Sequence, residues 1–177
     1  MEDGLDSMIA SLHDLKGPSF WKQLATITKR REFEPFEEGI ITAIGPENPD
    51  FEPLLDAARK AVAIGYTVYI LPNPRGTKSA DFIFRRKGVY KLFELKTIRG
   101  KNSVGNRLKD ACLQSNRVLL NMTIRYNPRL LAFEIARFFE NNTEIREVLI
   151  FRKGKIIQIR RPSVSQNMWV TILKMLK

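Results

Sequence analysis

Asp81, Glu94 and Lys96 lie within one short segment, ADFIFRRKGVYKLFELK, whose spacing would bring them together. The pair Lys87-Gly88 reads as the two-residue loop of a β-hairpin. Arg86 then faces Val89, and paired positions sum to 175: Phe84 with Lys91, Ile83 with Leu92, Phe82 with Phe93, Asp81 with Glu94. Directly opposed residues have Cβ atoms about 4.5–5.5 Å apart on one side of a sheet, and like charges there repel. A divalent cation held between the two carboxylates offsets that repulsion. Strand alternation places Lys96 on the face of Glu94. The competing reading is a solvated, inert ion pair of Lys96 with Glu94 or Asp81. A one-residue slip in register would send one acid to the opposite face.

The residues around these charges imply a covered sheet. Ile83 and Leu92 continue their face, while Phe82, Phe84, Phe93 and Leu95 line much of the other. Partly desolvated acids rise in pKa or bind a cation. The flanking elements follow from periodicity. FEPLLDAARKAVAIGY has apolar spacing for a helix closed by Gly65, and TVYIL reads as a strand. Beyond the hairpin, the basic linker IRGKN leads to a helix expected from Ser103, its N-cap, to about Leu120. Pro128 opens a helix, RLLAFEIARFFE, whose Phe133, Phe138 and Phe139 read as core. EVLIF and KIIQIRR form a second hairpin at Lys153-Gly154, and the last residues have helical spacing. The expected architecture is α/β or α+β, with one mixed central sheet flanked by helices. Residues 1–45 are expected to be an N-terminal helical extension, in which Pro35 ends a second helix and EEGIITAIG is a short strand or helical turn. Residues 46–177 are expected to be the main domain.

Composition narrows the class. The chain has 177 residues, 30 basic and 19 acidic, for a net charge of +11. The excess is uneven: residues 1–58 hold 12 acids and 5 bases, residues 59–177 hold 7 acids and 25 bases. From Arg85 to Arg129 there are 12 basic residues and only two acids, Glu94 and Asp110. Such concentration favours a polyanionic partner through counterion release. No apolar run approaches the ~20 residues of a membrane span, and no basic amphipathic helix with aromatic anchors is evident, so a membrane partner is not expected. The acidic N-terminus does not read as a secretory signal. One cysteine, Cys112, and one histidine, His13, exclude an internal disulfide framework and a Cys/His zinc site. No Gly-rich phosphate loop follows any strand. The chain therefore reads as a reduced, intracellular-type soluble protein that binds nucleic acid.

ADFIF, the thirteen positions from Asp81 to Glu94, and ELK together resemble the PD-(D/E)xK nuclease superfamily, with Ala80 in place of the family's leading proline. The longer stretch GYTVYILP…ADFIF…YKLFELKTIRGKNSVGNRLKDACLQSNRVLL resembles the C-terminal tRNA-cleaving domains of contact-dependent growth-inhibition toxins, over roughly residues 47–161. The resemblance implies a restriction-endonuclease-like core and a hydrolase of nucleic acid, RNA (tRNA above all) or DNA. It implies that Asp81, Glu94 and the Leu95 carbonyl ligate Mg²⁺ or Mn²⁺, and that Lys96 orients the attacking water or steadies transition-state charge. It also implies a further acid from the preceding helix: Glu52 is favoured, with Asp56 and Glu47 as alternatives. An immunity-type protein partner or a homodimer, and action in a bacterial or phage-infected cytosol, belong to the same implication.

Substrate contacts are expected downstream. Arg99 and Lys101 in the linker would lie nearest the metal. Arg107, Asp110, Gln114 and Arg117 fall on one face of the expected helix, flanked by Asn106 and Lys109. Arg107, Lys109 and Arg117 would hold phosphates, and Gln114 would reach the scissile region. A solvated amphipathic face is the alternative for each. Cys112 reads as a small core residue, and Trp21 and Trp169 as core or docking anchors.

Overall fold

In the computed structural model, residues 33–72, 79–161 and 167–177 are described; Trp21, His13 and the two N-terminal helices expected before Pro35 lie outside them. The described residues form a mixed α+β fold of eight strands and four helices. The chain divides into two compact units, the first ending at Glu94 and the second beginning at Leu95.

The first unit is a sheet backed by a helix. Strands β1 (Glu34–Glu37) and β2 (Ile40–Thr42) form an antiparallel hairpin through Gly39, whose φ of 76° only glycine adopts freely. Pro35 therefore sits in a strand rather than ending a helix, and it stands in the outermost strand, where a missing N–H costs least. Helix α1 (Phe51–Val62) leads to β3 (Thr67–Ile70), which runs parallel to β2. Parallel neighbours need such a crossover. Strands β4 (Phe82–Arg86) and β5 (Val89–Ile98) complete the antiparallel run β3-β4-β5. Strands β1 and β2, which precede residue 46, thus pair into this unit's sheet. One sheet face buries an aromatic row: Tyr66, Phe84, Phe82 and Phe93, with ring centroids 4.8–5.3 Å apart. Each of the three buried phenylalanines contributes about 1.5–3 kcal/mol by leaving water. Ile83 and Leu92, on the opposite face, are also buried, as expected for a sheet covered on both sides.

The second unit has the same local plan. Helix α2 (Val104–Ala111) precedes β6 (Arg117–Met122), helix α3 (Pro128–Asn141) crosses over, and β7 (Glu147–Arg152) pairs parallel to β6. Strand β8 (Lys155–Arg160) returns antiparallel, and α4 (Met168–Leu176) closes the chain. The end of β5 belongs here, the Ile98 carbonyl accepting from both the amide and hydroxyl of Thr123. Asn127 caps α3 by accepting from the amides of Arg129 and Leu130, with Pro128 at the first helical position.

Three expectations are corrected here. The helix after Ser103 ends at Ala111, and residues 117–122 are a strand. Val118, Leu119 and Leu120 are all fully buried, and an apolar run buried on both faces has no period that distinguishes strand from helix. The signal was Ser115-Asn116, turn formers at the break. Ser103 occupies the N-cap position, but its hydroxyl donates to the Gly100 carbonyl instead of accepting from the helix. Phe133 is 52% exposed while Phe138 and Phe139 are buried, because the core-facing positions of α3 are Leu131, Ala132, Ile135 and Ala136.

The β4–β5 and β7–β8 hairpins each turn on a Lys-Gly pair in which each residue has positive φ: Lys87 (50°) with Gly88 (75°), and Lys153 (49°) with Gly154 (69°). These are two-residue turns whose twist matches that of the strands. A methyl group at Gly88 would meet nothing within 4 Å, so only backbone strain opposes it. Gly88→Ala is expected to lower unfolding free energy by about 1 kcal/mol, read as a shift of the urea midpoint with an unchanged slope.

Candidate active site

The hairpin turn sets the register of β4 against β5. Arg86 faces Val89, Phe84 faces Lys91, Ile83 faces Leu92 and Phe82 faces Phe93. This is the register expected from a two-residue loop. Asp81 and Glu94 flank the last of these pairs. The ladder changes at that point: the Asp81 amide donates to the Phe93 carbonyl at 3.1 Å, and the Asp81 carbonyl accepts from Leu71 at 2.9 Å. Asp81 sits in a bend just before β4, tied to both neighbouring strands through its own backbone.

The two carboxylates differ in environment. Asp81 is half-buried. Glu94 is only 2% exposed, and its Oε2 is shielded from solvent. A carboxylate at that depth requires compensation by positive charge, hydrogen bonds or protonation. Oxygen donors of this kind suit a hard cation. Among the described residues, no three His, Cys, Asp or Glu side chains gather as a metal cage. Two carboxylates without a third still fit Mg²⁺, which keeps several waters and uses one or two protein carboxylates with substrate phosphate oxygens.

The upstream acids have other company. Glu52 is exposed near the start of α1 and acts electrostatically on Arg59. Asp56 pairs with Lys60 one turn on, at 2.7 Å. The Glu47 carboxylate accepts from the Gly45 amide at 3.2 Å. Arg59 itself binds Glu37 of β1, at 2.9 Å from Nε to Oε2, and holds that carboxyl below its ordinary value.

Leu95 and Lys96 continue β5 as the first residues of the second unit; Leu95 is buried and Lys96 half-buried. Arg99 and Lys101 are exposed in the loop after β5, and Arg107 and Lys109 are exposed on α2. Gln114 lies in the turn after α2, so it shares no helix face with Arg107. Cys112, half-buried just after α2, donates to the Lys109 carbonyl, and Trp169 is 45% exposed on α4.

Arg117 is placed differently from the sequence expectation. It opens β6 opposite Glu147 of β7, and its Nε lies 3.3 Å from Glu147 Oε2. Gln158 of β8 donates to the other carboxylate oxygen. Glu147 is 1% exposed, and the four residues after it in the strand, Val148 to Phe151, are apolar. Sequence reading missed this buried cluster; an acid opening the apolar run EVLIF was the available signal. The Arg117 guanidinium is thus engaged inside the second unit.

Residues 78–157 match the family model described as the contact-dependent growth inhibition CdiA C-terminal domain. The matched segment includes Asp81, Glu94 and Lys96. Among solved structures, a chain of the CdiA-CT/CdiI toxin and immunity complex from Burkholderia pseudomallei is similar, at 17% sequence identity and a TM-score of 0.46. The similarity covers 72% of this chain and 96% of that one. No curated protein sequence matches the chain.

Arg117→Ala removes the guanidinium beside the buried Glu147 charge and is expected to cost about 3–5 kcal/mol of unfolding free energy. Arg107→Ala, at an exposed helix position, is expected to stay within about 0.5 kcal/mol of the parent. Urea unfolding of both variants checks the contrast.

Proposed function

We propose that the chain is a metal-dependent nuclease of the toxin type, hydrolysing phosphodiester bonds in RNA, with tRNA the favoured substrate. The observation that carries this reading is the position of Asp81 and Glu94 on either side of the Phe82–Phe93 pair, in a segment otherwise rich in positive charge. The similarity of residues 78–157 to CdiA C-terminal domains supports the same reading. DNA is the second substrate class, because the resemblance to PD-(D/E)xK nucleases extends to enzymes that cut it.

In this reading, the Asp81 and Glu94 carboxylates and the Leu95 carbonyl hold Mg²⁺ or Mn²⁺. When bound, the ion lowers the pKa of coordinated water and neutralises charge developing on the phosphoryl oxygens. The Lys96 ammonium, two positions beyond Glu94 in β5, orients the attacking water and steadies negative charge as the bond to phosphorus forms. Burial of Glu94 keeps its carboxylate in a low-dielectric setting, where its interaction with a cation is stronger than in water. Arg99, Lys101, Arg107 and Lys109 bind backbone phosphates, and Gln114 contacts the substrate near them. Attack by water breaks the bond from phosphorus to the leaving oxygen and leaves a 5′-phosphate end. An end carrying a 2′,3′-cyclic phosphate would instead assign the nucleophile to the ribose 2′-hydroxyl. An immunity-type protein partner and a cytosolic site of action belong to the same reading.

The test is incubation of purified protein with labelled tRNA and with duplex DNA, with Mg²⁺, with Mn²⁺ and with chelator. Cleavage is expected with metal and absent with chelator. Asp81→Asn, Glu94→Gln and Lys96→Ala are each expected to lower the rate by a factor on the order of 10²–10³. Absence of cleavage of either substrate under both metals would overturn the enzymatic assignment.

A further inference from the structure

The tip of the β4–β5 hairpin carries two exposed arginines, Arg85 and Arg86. As neighbours in a strand they project to opposite faces of the sheet. Each is held by a tyrosine instead of an acid. The Arg86 guanidinium lies over the Tyr66 ring, 5.3 Å from its centroid. Arg85 faces Tyr90 across the ladder on one side and Thr67 on the other, and its Nη2 is 3.4 Å from Thr67 Oγ1. A side-chain hydrogen bond with Tyr90 raises the Arg85 pKa above its ordinary value, so its charge persists at any pH of interest. Among the described residues, neither guanidinium forms an ion pair with a carboxylate. The exposed Arg59 of the same unit differs, being neutralised by Glu37.

Arginines ordered by rings and hydroxyls, with no carboxylate partner among the described residues, lose part of their rotamer freedom in advance. That combination suits an incoming anion, and the planar fork matches phosphate geometry. Lys87, exposed between them and the turn glycine, adds a third positive charge. Tyr90, the partner of Arg85, lies four residues before Glu94 in β5, about 13 Å along the strand and on the same face. We propose that Arg85 and Arg86, one on each face of the hairpin tip, form a phosphate clamp by holding separate phosphates of a nucleic-acid backbone that crosses the tip, away from the scissile bond. The clamp rests on the nucleic-acid reading above, but not on catalysis.

The experiment measures binding of the full chain to a short labelled RNA in chelator, across a salt series, so that cleavage plays no part. Arg85→Ala/Arg86→Ala is expected to weaken binding at least about tenfold, and to lower the slope of log affinity against log salt by about 1.4 for single strands. Lys174→Ala/Lys177→Ala removes two equally exposed charges elsewhere and is expected to change affinity less than about threefold. Arg85→Lys/Arg86→Lys keeps the charge but loses the fork, so the slope is retained while affinity falls. This variant carries the test if the alanine pair fails to fold by circular dichroism. Equal losses in the alanine pair and the lysine control would overturn the clamp, as would unchanged binding in both arginine variants. Loss of binding to phosphatidylserine vesicles but not to RNA in the arginine variants would overturn it too. A protein that cuts RNA yet binds it independently of these arginines refutes the clamp and leaves the nuclease standing. One that loses RNA binding on their removal yet never cleaves does the reverse.

Discussion

The pairing of β4 with β5 is the constraint on which the candidate site depends. It is set by two backbone conformations, Lys87 and Gly88 at positive φ, which only a two-residue turn of this kind uses. From that turn the ladder counts back without a break to Phe82 opposite Phe93. The aromatic rings then hold it. Phe82, Phe84 and Phe93 are fully buried on one face, and Ile83 and Leu92 are buried on the other. Slipping β4 by one residue would move its three buried apolar side chains, Phe82, Ile83 and Phe84, to the wrong faces, a change costing several kcal/mol at about 1.5–3 kcal/mol each. The positions of Asp81 and Glu94 follow from packing that has no chemistry of its own.

Two buried glutamates show how differently this chain treats negative charge. Glu147 is enclosed by Arg117 and Gln158, all within the second unit, and its role there is to join three strands. Glu94 is equally deep, and it lies beside the bend at Asp81, whose amide donates to the Phe93 carbonyl. The exposed arginines at the hairpin tip are the complementary case, cations arranged by aromatic and hydroxyl neighbours.

Much of the first unit was readable from residue order. The Lys87-Gly88 turn, the apolar spacing of α1 ending near Gly65, and the β-branched run TVYIL each carry a local signal strong enough to act alone. The hairpin β1–β2 was not readable, because Pro35 argues against a strand unless that strand is outermost, and edge position is a property of the assembled sheet. The same holds for β6. RVLLNM has the composition of a buried segment, but a segment covered on both sides has no polar face to reveal its period. Extending α2 through it placed Gln114 and Arg117 on a helix face that does not exist.

Residue types and spacing along the chain were enough to specify the mixed α+β class, the strongly basic segment, and the β4–β5 register from Arg86–Val89 to Phe82–Phe93. These are short-range matters, governed by turn conformation, alternation and charge count. Burial depth, ion-pair partners and strand neighbours arose only on folding. Glu94 is enclosed while Glu52 stays in water, and Arg117 turns inward to Glu147 while Arg107 remains outside. The reason is that desolvation and long-range pairing depend on residues distant in the chain, and no local pattern encodes which of several similar side chains those neighbours will enclose.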